Sequence, residues 1–319
     1  MSLDLTDIMT EPKSHRPETA ATINGVTIDD TFAEAFGMSA TGLIITADSQ
    51  RWARQAAITM TGFGTSVIGC GAECGIDHDV PADETPDGRP GVRVLLFGFS
   101  PDALEPQLKN RVGQCVLTSP GSACFNGLAS EQTLALSAGP RFFGDGWQTA
   151  RKLGDRRFWR VPVMDGEFII EDTSGLTTDA VGGGNLLIIG TDRVGLLETC
   201  ERAVEAMSSV KDCIMPFPGG IVRSGSKVGS KYAGAMASTN EAFSPTLRGA
   251  SQTQLDDKSV AVLEIVIDGL TASAVAETMK VGLKTIIDEG AERGVYRVSA
   301  GNYGGNLGQH HFHLKELLN

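Results

Sequence analysis

The stretch SVAVLEIVIDGLTASAVAETMKVGLKTIIDEG, Ser259 to Gly290, decides the fold class of this chain. Its first part has the apolar, β-branched content of a buried strand. Its second part has apolar residues at helical spacing, between a predicted N-cap at Thr271 and a stop at Gly290. The same strand-to-helix joint occurs earlier, because LLFGFSPDAL (Leu95–Leu104) aligns with IVIDGLTASA (Ile265–Ala274). Two copies of one unit predict an internal repeat.

Hydrophobic periodicity extends each copy to the order β-α-β-β-α-β. The first copy is predicted to have strands at 42–49, 65–70, 92–99 and 114–119, and helices at 51–60 and 100–112, the second of them capped by Ser100. The second copy is predicted to have strands at 185–190, 212–217, 259–270 and 295–301, and helices at 191–210, capped by Thr191, and 271–290. Long loops are predicted at 69–91 and 219–240, between the second and third strands of each copy.

This order is typical of the split βαβ unit, used twice. The predicted class is therefore α+β, with two ferredoxin-like lobes in tandem, each an antiparallel sheet with helices on one face. The hairpin signal Asp165-Gly166 is the expected boundary between the two lobes. We expect a flexible N-terminal extension over residues 1–20, one lobe over 21–164 and a second over 165–319.

Composition limits the classes of partner. The chain has 319 residues and a net charge of −12, which disfavours nucleic acid and anionic membranes as partners. No apolar run approaches the ~18 residues that span a bilayer. Residues 1–20 have no apolar core or cleavage pattern, so they do not read as a signal peptide, and a cytoplasmic location is expected. The six cysteines indicate neither a disulfide framework nor a zinc site.

The stretch PFPGGIVRSGSKVGSK, Pro216 to Lys231, has the glycine spacing of a nucleotide-binding P-loop. However, Ser226-Lys227 reverses the expected Lys-Ser order, and no helical pattern follows, so a nucleotide site is not predicted. Glycines, hydroxyls and cations together could instead hold a carboxylate or phosphate, although an ordinary long loop remains an alternative. The candidate substrate-binding residues are Gly219, Gly220, Arg223, Ser224, Ser226, Lys227, Lys231 and Asn240.

Glu264 interrupts an otherwise apolar strand, AVLEIVID. Because both faces of this strand are apolar, Glu264 is predicted to be buried, and burial would raise its pKa toward neutrality. Proton transfer is one interpretation. The alternatives are a glutamate at the edge of a sheet and a structural pairing with an arginine. Three histidines, His310, His311 and His313, lack further ligands at suitable spacing, so no metal site is predicted.

Many ordered motifs resemble one known family, the formylmethanofuran:tetrahydromethanopterin formyltransferases. They include INGVTIDDTFAEAFGM, TGFGTSVI, ETPDGRPGV, FFGDGW, PFPGGIV, SKVGSK, EIVIDGL and SAGNYGGNLGQ. The similarity extends from about Thr22 to the C-terminus. It implies two ferredoxin-like lobes, a homotetramer, and transfer of a formyl group between the amine of methanofuran and N5 of tetrahydromethanopterin, without a metal or prosthetic group. It also places the family's active-site glutamate at Glu264.

The resemblance leaves the direction and the assembly open. Methanogenic members pass the formyl group to the pterin, whereas a similar bacterial subunit works in reverse inside a formyltransferase/hydrolase complex that releases formate. The second direction, and membership of such a complex, are the expectation here. A non-catalytic sensor or scaffold built from tandem ferredoxin-like units is the competing class.

Overall fold

The computed structural model describes residues 16–318. Of the predicted N-terminal extension, residues 1–15 lie outside the described residues, and the first strand begins at Thr19. The strands are β1 (Thr19–Ile23), β2 (Val26–Asp29), β3 (Phe32–Thr46), β4 (Glu73–Val80), β5 (Gly91–Gly98), β6 (Ala123–Asn126), β7 (Thr133–Leu134), β8 (Thr149–Leu153), β9 (Arg156–Val163), β10 (Gly166–Glu171), β11 (Ser174–Gly190), β12 (Cys213–Ile214), β13 (Ser226–Val228), β14 (Ala237–Thr239), β15 (Ala261–Gly269), β16 (Val295–Ser299) and β17 (His310–His313). The helices are α1 (Gln50–Thr61), α2 (Val67–Cys70), α3 (Pro101–Arg111), α4 (Arg193–Met207) and α5 (Ala272–Glu289).

Both halves of the chain contain the repeated unit, and the mixed α+β class is confirmed. In the first half the antiparallel order is β4-β5-β3-β6, with α1 and α3 packed against the sheet. In the second half the antiparallel order is β12-β15-β11-β16, with α4 and α5 packed against it. Each half therefore has one core between two helices and its sheet.

The predicted separate sheets are one continuous hydrogen-bonded sheet instead, because two strands are long enough to serve both halves. Strand β3 pairs with β5 and β6 through its C-terminal part and with β17 through its N-terminal part. Strand β11 pairs with β3 over Leu176–Gly182 and with β15 over Val181–Gly190. The predicted hairpin at Asp165-Gly166 is confirmed as the connection between β9 and β10.

Helix caps match the sequence at two of three sites. The Oγ atoms of Ser100 and Thr271 accept the N–H of the residue three positions later, which satisfies an otherwise unpaired donor. The predicted cap at Thr191 is wrong. The Asp192 carboxylate caps α4, accepting the Gly195 N–H at 2.6 Å.

Two predicted strands of the first copy are misplaced. Residues 67–70 form the short helix α2, and the strand lies later, at Glu73–Val80, inside the predicted loop. Residues 112–116 continue α3 as a π-helical turn, and the strand lies at Ala123–Asn126. The charges on ECGIDHDV obscured its alternation, because Asp77 is buried through tertiary contacts: an ion pair with Arg93 at 2.6 Å and a hydrogen bond from the Asp212 N–H at 2.9 Å.

Candidate active site

Glu264 lies in the middle of β15, opposite residues that are apolar on both sides. Its partner on β11 is Leu187, and an isolated antiparallel bridge pairs it with Val222 on the other side. Side chains of directly opposite residues point to the same face of a sheet. Leu187 is 4% exposed and Val222 is 5% exposed, so the Glu264 carboxylate lies between two buried hydrophobic side chains.

Glu264 itself is only partly buried. It shares one face of β15 with Val262 and Val266, and this face is less covered than the opposite face, which packs on the helices. The sequence predicted a buried Glu264, and the structure makes it partly buried. Within residues 16–318 no hydrogen bond or ion pair is formed by the carboxylate, so the arginine pairing considered from the sequence does not occur there. Burial raises the pKa of Glu264 to about 7. A carboxyl group with that pKa can both give and take a proton at neutral pH.

The glycine-rich loop is joined to this strand through backbone hydrogen bonds. The Val222 N–H donates to the Glu264 carbonyl at 2.7 Å, and the Glu264 N–H donates to the Val222 carbonyl at 2.9 Å. Just before this bridge, Gly219 and Gly220 have left-handed φ values of 62° and 77°. After this turn, Val222 pairs with Glu264. The next residue in the sequence, Arg223, is exposed.

Beyond Arg223, a small hairpin replaces most of the predicted loop. Strands β13 and β14 pair from Ser226 to Val228 and from Ala237 to Thr239. At its base, the Asn240 N–H donates to the Gly225 carbonyl at 3.2 Å. The Lys227 ammonium is ion-paired with Glu241, so this predicted ligand already has a partner.

The remaining candidates on this hairpin are accessible. Ser224, Ser226 and Lys231 are exposed. A hydrogen bond from Lys227, together with its charge and that of Lys231, lowers the pKa of Glu241. The structure thus joins the hairpin to the Glu264 strand through Val222, with Arg223 as the cation nearest in sequence to that junction.

Sequence reasoning missed a second segment at this site, Gly301–Gln309, whose motif contributed only to the family resemblance. The Asn185 amide accepts the Gly301 N–H at 2.6 Å and donates to the Gly301 carbonyl at 3.2 Å. Asn185 lies two residues from Leu187 on β11 and on the same face. Tyr303 on this segment contacts the Phe36 ring at 5.9 Å between centroids. Burial and the Glu264 and Glu34 carboxylates raise the pKa of Tyr303, which places its hydroxyl in the field of the candidate acid.

A buried pair of carboxyl groups, which the sequence analysis did not predict, lies near the C-terminal end of β15. Asp268 is fully buried and accepts the Gly183 N–H at 3.0 Å, while Glu73 accepts the Val67 N–H at 3.1 Å. Burial raises the pKa of both groups, and for Asp268 the neighbouring Glu73 raises it further. Mutual repulsion of two close carboxylates favours a state in which one proton is retained.

The three histidines form strand β17 beside β3. His311 lies against the Phe32 ring at 4.8 Å, and its Nε2 is 3.2 Å from the Gly308 carbonyl. Over residues 16–318, no group of three or more His, Cys, Asp or Glu side chains is arranged to hold a metal ion. None of the helices in that part of the chain combines the length and apolar character needed to cross a membrane.

Comparison with known proteins agrees with the motifs. The family model described as formylmethanofuran-tetrahydromethanopterin formyltransferase matches residues 21–163, and the model of the proximal lobe of the same family matches residues 166–317. A component of the formyltransferase/hydrolase complex of Methylorubrum extorquens is 55% identical over 93% of this chain and 97% of its own length. Formylmethanofuran–tetrahydromethanopterin formyltransferase of Methanopyrus kandleri is 46% identical over 93% of this chain and 99% of its own length.

Solved structures give the same relationship. A chain in the crystal structure of the formyltransferase/hydrolase complex from Methylorubrum extorquens, in complex with methylofuran, superposes with a TM-score of 0.91 at 54% identity, covering 94% of this chain and 99% of that one. The formylmethanofuran:tetrahydromethanopterin formyltransferase from Methanosarcina barkeri gives a TM-score of 0.87 at 43% identity, covering 93% and 100%. The resemblance predicted from the motifs is confirmed: the chain belongs to the formylmethanofuran-tetrahydromethanopterin formyltransferase family.

Proposed function

We propose that this chain transfers a formyl group between N5 of tetrahydromethanopterin and the amine of methanofuran, with Glu264 as the proton-transferring residue. The observation that carries the proposal is the environment of Glu264. A carboxyl group without a cationic partner within the described residues, between Leu187 and Val222, has a pKa of about 7. The functions named for the relatives supply the reaction that such a group would serve.

The reaction needs one proton to leave the attacking nitrogen and one to reach the departing nitrogen. The amine attacks the formyl carbon, the C=O electron pair moves to oxygen, and a tetrahedral oxyanion forms. When the oxyanion collapses, the C–N bond to the donor breaks, and the departing nitrogen takes a proton. Glu264 can accept the first proton as a carboxylate and return one as a carboxylic acid, so the enzyme ends in its initial state. Backbone N–H groups of a glycine-rich turn would share the oxyanion charge.

Direct transfer in a ternary complex requires no covalent intermediate on the chain and no prosthetic group. The main contribution of the protein is then to hold two large carriers in attack geometry and to exclude water, which would hydrolyse the formyl group. The proposed substrate-binding residues are Gly219, Gly220, Arg223, Ser224, Ser226, Lys227, Lys231 and Asn240. Their cations would attract the carboxylates and the phosphate of the two carriers. The ion pair of Lys227 with Glu241 would have to open for Lys227 to contribute.

The proposed organisation is two ferredoxin-like lobes, over 21–164 and 165–319. The strand orders β4-β5-β3-β6 and β12-β15-β11-β16 support it, because both place the first and third strands of the unit at the centre. We further propose a cytoplasmic homotetramer or a member of a formyltransferase/hydrolase complex, working from the pterin toward methanofuran. The support for the complex is the 55% identity to a component of such an assembly.

The test is transfer between formyl-tetrahydromethanopterin and methanofuran, followed through the absorbance of the pterin. Wild type should transfer, and Glu264→Gln, which keeps the shape but cannot exchange a proton, should lower kcat by about 10²- to 10⁴-fold with little change in KM. Glu105→Gln, at an exposed position of α3, is the matched control and should leave both constants unchanged.

Two results would contradict the proposal, the first in its reaction and the second in the role of Glu264. Binding of both carriers by wild type without transfer would favour a sensor or scaffold protein. Wild-type turnover in Glu264→Gln would remove Glu264 from the reaction while leaving the transferase function intact.

A further inference from the structure

Glu34 is a buried carboxylate that the proposed reaction does not use. It lies in β3, far from Glu264 in sequence, and is 1% exposed. Within the described residues it has no cationic partner. Its two oxygens instead accept four backbone N–H groups of one segment, those of Tyr303 at 2.6 Å, Gly305 at 2.9 Å, Leu307 at 2.7 Å and Gly308 at 2.7 Å.

These four hydrogen bonds keep Glu34 ionised. Burial opposes ionisation, but the backbone hydrogen bonds outweigh it and lower the pKa of Glu34. A carboxylate that accepts several N–H groups is a strong, charge-assisted anchor. The segment needs such an anchor because Gly304 and Gly305 have left-handed φ values of 84° and 78°, a conformation that forms no repeating backbone ladder.

The anchored segment carries Tyr303, which is 40% exposed, and is tied through Gly301 to Asn185 on the face of the sheet that bears Glu264. The segment directly follows β16, whose Ser299 pairs with Leu187, and Leu187 in turn pairs with Glu264. Glu264, Leu187 and Ser299 therefore form one row across the sheet, with side chains on one face. Tyr303 follows Ser299 by four residues, packs on Phe36 and lies within the electrostatic reach of Glu264.

We propose that Glu34 is a positioning residue for the formyl transfer: by binding the backbone of Gly301–Gln309, it holds the Tyr303 ring against Glu264 and keeps water away from that carboxyl group. The inference rests on the proposed role of Glu264. In this arrangement the ring of Tyr303 adds to the desolvation that Leu187 and Val222 provide, and its hydroxyl is not required. A loosened segment would admit water to Glu264, and its pKa would fall toward that of an exposed carboxyl group.

The experiment follows the pH dependence of kcat/KM, which reports ionisations of the free enzyme. In wild type, kcat/KM should change with pH around the pKa of Glu264, and this part of the pH profile is called the limb below. Tyr303→Ala should move that limb to lower pH by about half a unit or more, whereas Tyr303→Phe, which keeps the ring, should leave it in place. Glu34→Gln, which replaces one acceptor oxygen by a donor amide, should shift the limb in the same direction as Tyr303→Ala. The double variant Glu34→Gln/Tyr303→Ala should shift it no further.

A second variant that disturbs the same segment is needed in case Glu34→Gln does not fold. In Gly308→Ala the new methyl group would lie 2.5 Å from the Ala35 carbonyl oxygen and 2.8 Å from Glu34 Cγ, so it displaces the anchored backbone while the carboxylate remains. This variant should also shift the limb downward. Asp192→Asn is the matched control, since Asp192 accepts a backbone N–H at the start of α4, and its limb should match wild type.

The inference and the proposed function fail in different ways. Loss of activity or stability in Glu34→Gln with an unmoved limb would mean that Glu34 only stabilises the fold. An unmoved limb in Tyr303→Ala would mean that Tyr303 does not shield Glu264. In either case an active wild type and an inactive Glu264→Gln would still support the transferase proposal.

Discussion

Val222 and Glu264 are joined by two reciprocal backbone hydrogen bonds, of 2.7 and 2.9 Å, although the whole β13–β14 hairpin lies between them in the sequence. This bridge makes the glycine-rich loop an edge partner of the strand that carries the candidate acid. A substrate held by the loop would therefore be held at a defined distance from the carboxyl group, because neighbouring strands keep a spacing of about 4.8 Å.

The raised pKa of Glu264 should cost stability at neutral pH. Its pKa rises from 4.5 to about 7 on folding, so the folded state binds the proton more tightly than the unfolded state. The free energy of unfolding should therefore fall as pH rises from about 4.5 to 7, and the loss should be complete above pH 7. Glu264→Gln removes this term, so at about pH 8 it should be more stable than wild type by about 1 to 2 kcal/mol, and at about pH 4.5 it should match it. Urea unfolding at the two pH values measures both differences, and equal stability in alkaline buffer would contradict the assigned pKa.

The exposed cations of the loop should act on binding rather than on chemistry. Replacing Arg223 and Lys231 together by Gln should raise KM for the anionic carriers by about 3- to 10-fold and leave kcat within about twofold. The difference from wild type should shrink as ionic strength increases, because screening weakens attraction between exposed charges. Lys284→Gln, which removes one exposed cation of α5, controls for the loss of a surface cation outside the loop. Unchanged KM values at low salt would separate this loop from the carriers.

The buried ion pair of Arg297 and Asp29 should be sensitive to loss of one partner. Both side chains are essentially inaccessible, and Arg297 Nη2 lies 2.7 Å from Asp29 Oδ2. Asp29→Asn leaves a buried, uncompensated guanidinium, so the free energy of unfolding should fall by about 3 to 5 kcal/mol. The exposed pair of Lys284 and Asp288 is the control, and Asp288→Asn should cost less than about 0.5 kcal/mol. Similar urea midpoints for the two variants would show that burial does not govern the cost.

The adjacent glycines of the turn before Val222 should differ in their tolerance of a methyl group. At Gly219 a Cβ would meet nothing within 4 Å, so Gly219→Ala should cost about 1 kcal/mol, from its left-handed φ alone. At Gly220 a Cβ would lie 2.8 Å from Val204 Cγ1, and its φ is also left-handed. Gly220→Ala should therefore cost about 2 to 4 kcal/mol. Chemical denaturation of both variants measures the contrast, and equal costs would rule out close packing of this turn on α4.

Local signals in the sequence were sufficient to predict several structural elements. Ser100 and Thr271 cap their helices as predicted, since a cap is a contact between residues three positions apart. The hairpin at Asp165-Gly166 was likewise predicted from its turn residues. Strand β4 was not predicted, because its charged Asp77 is accommodated by tertiary partners, Arg93 on the neighbouring strand and the Asp212 N–H. The strand predicted at 114–119 was also misassigned, since the apolar residues up to Val116 suit a strand and a buried π-helical turn equally well.

The sequence by itself determined the repeated strand-to-helix unit, the family, and Glu264 as the residue of interest, because these depend on neighbours along the chain and on ordered motifs. Only the tertiary structure decided that β3 and β11 merge both halves into one sheet, that Val222 borders Glu264, and that Glu34 anchors the segment of Tyr303. Backbone hydrogen bonds between distant strands and the desolvation of a carboxyl group depend on which surfaces meet in three dimensions. No local pattern of residue types encodes that meeting.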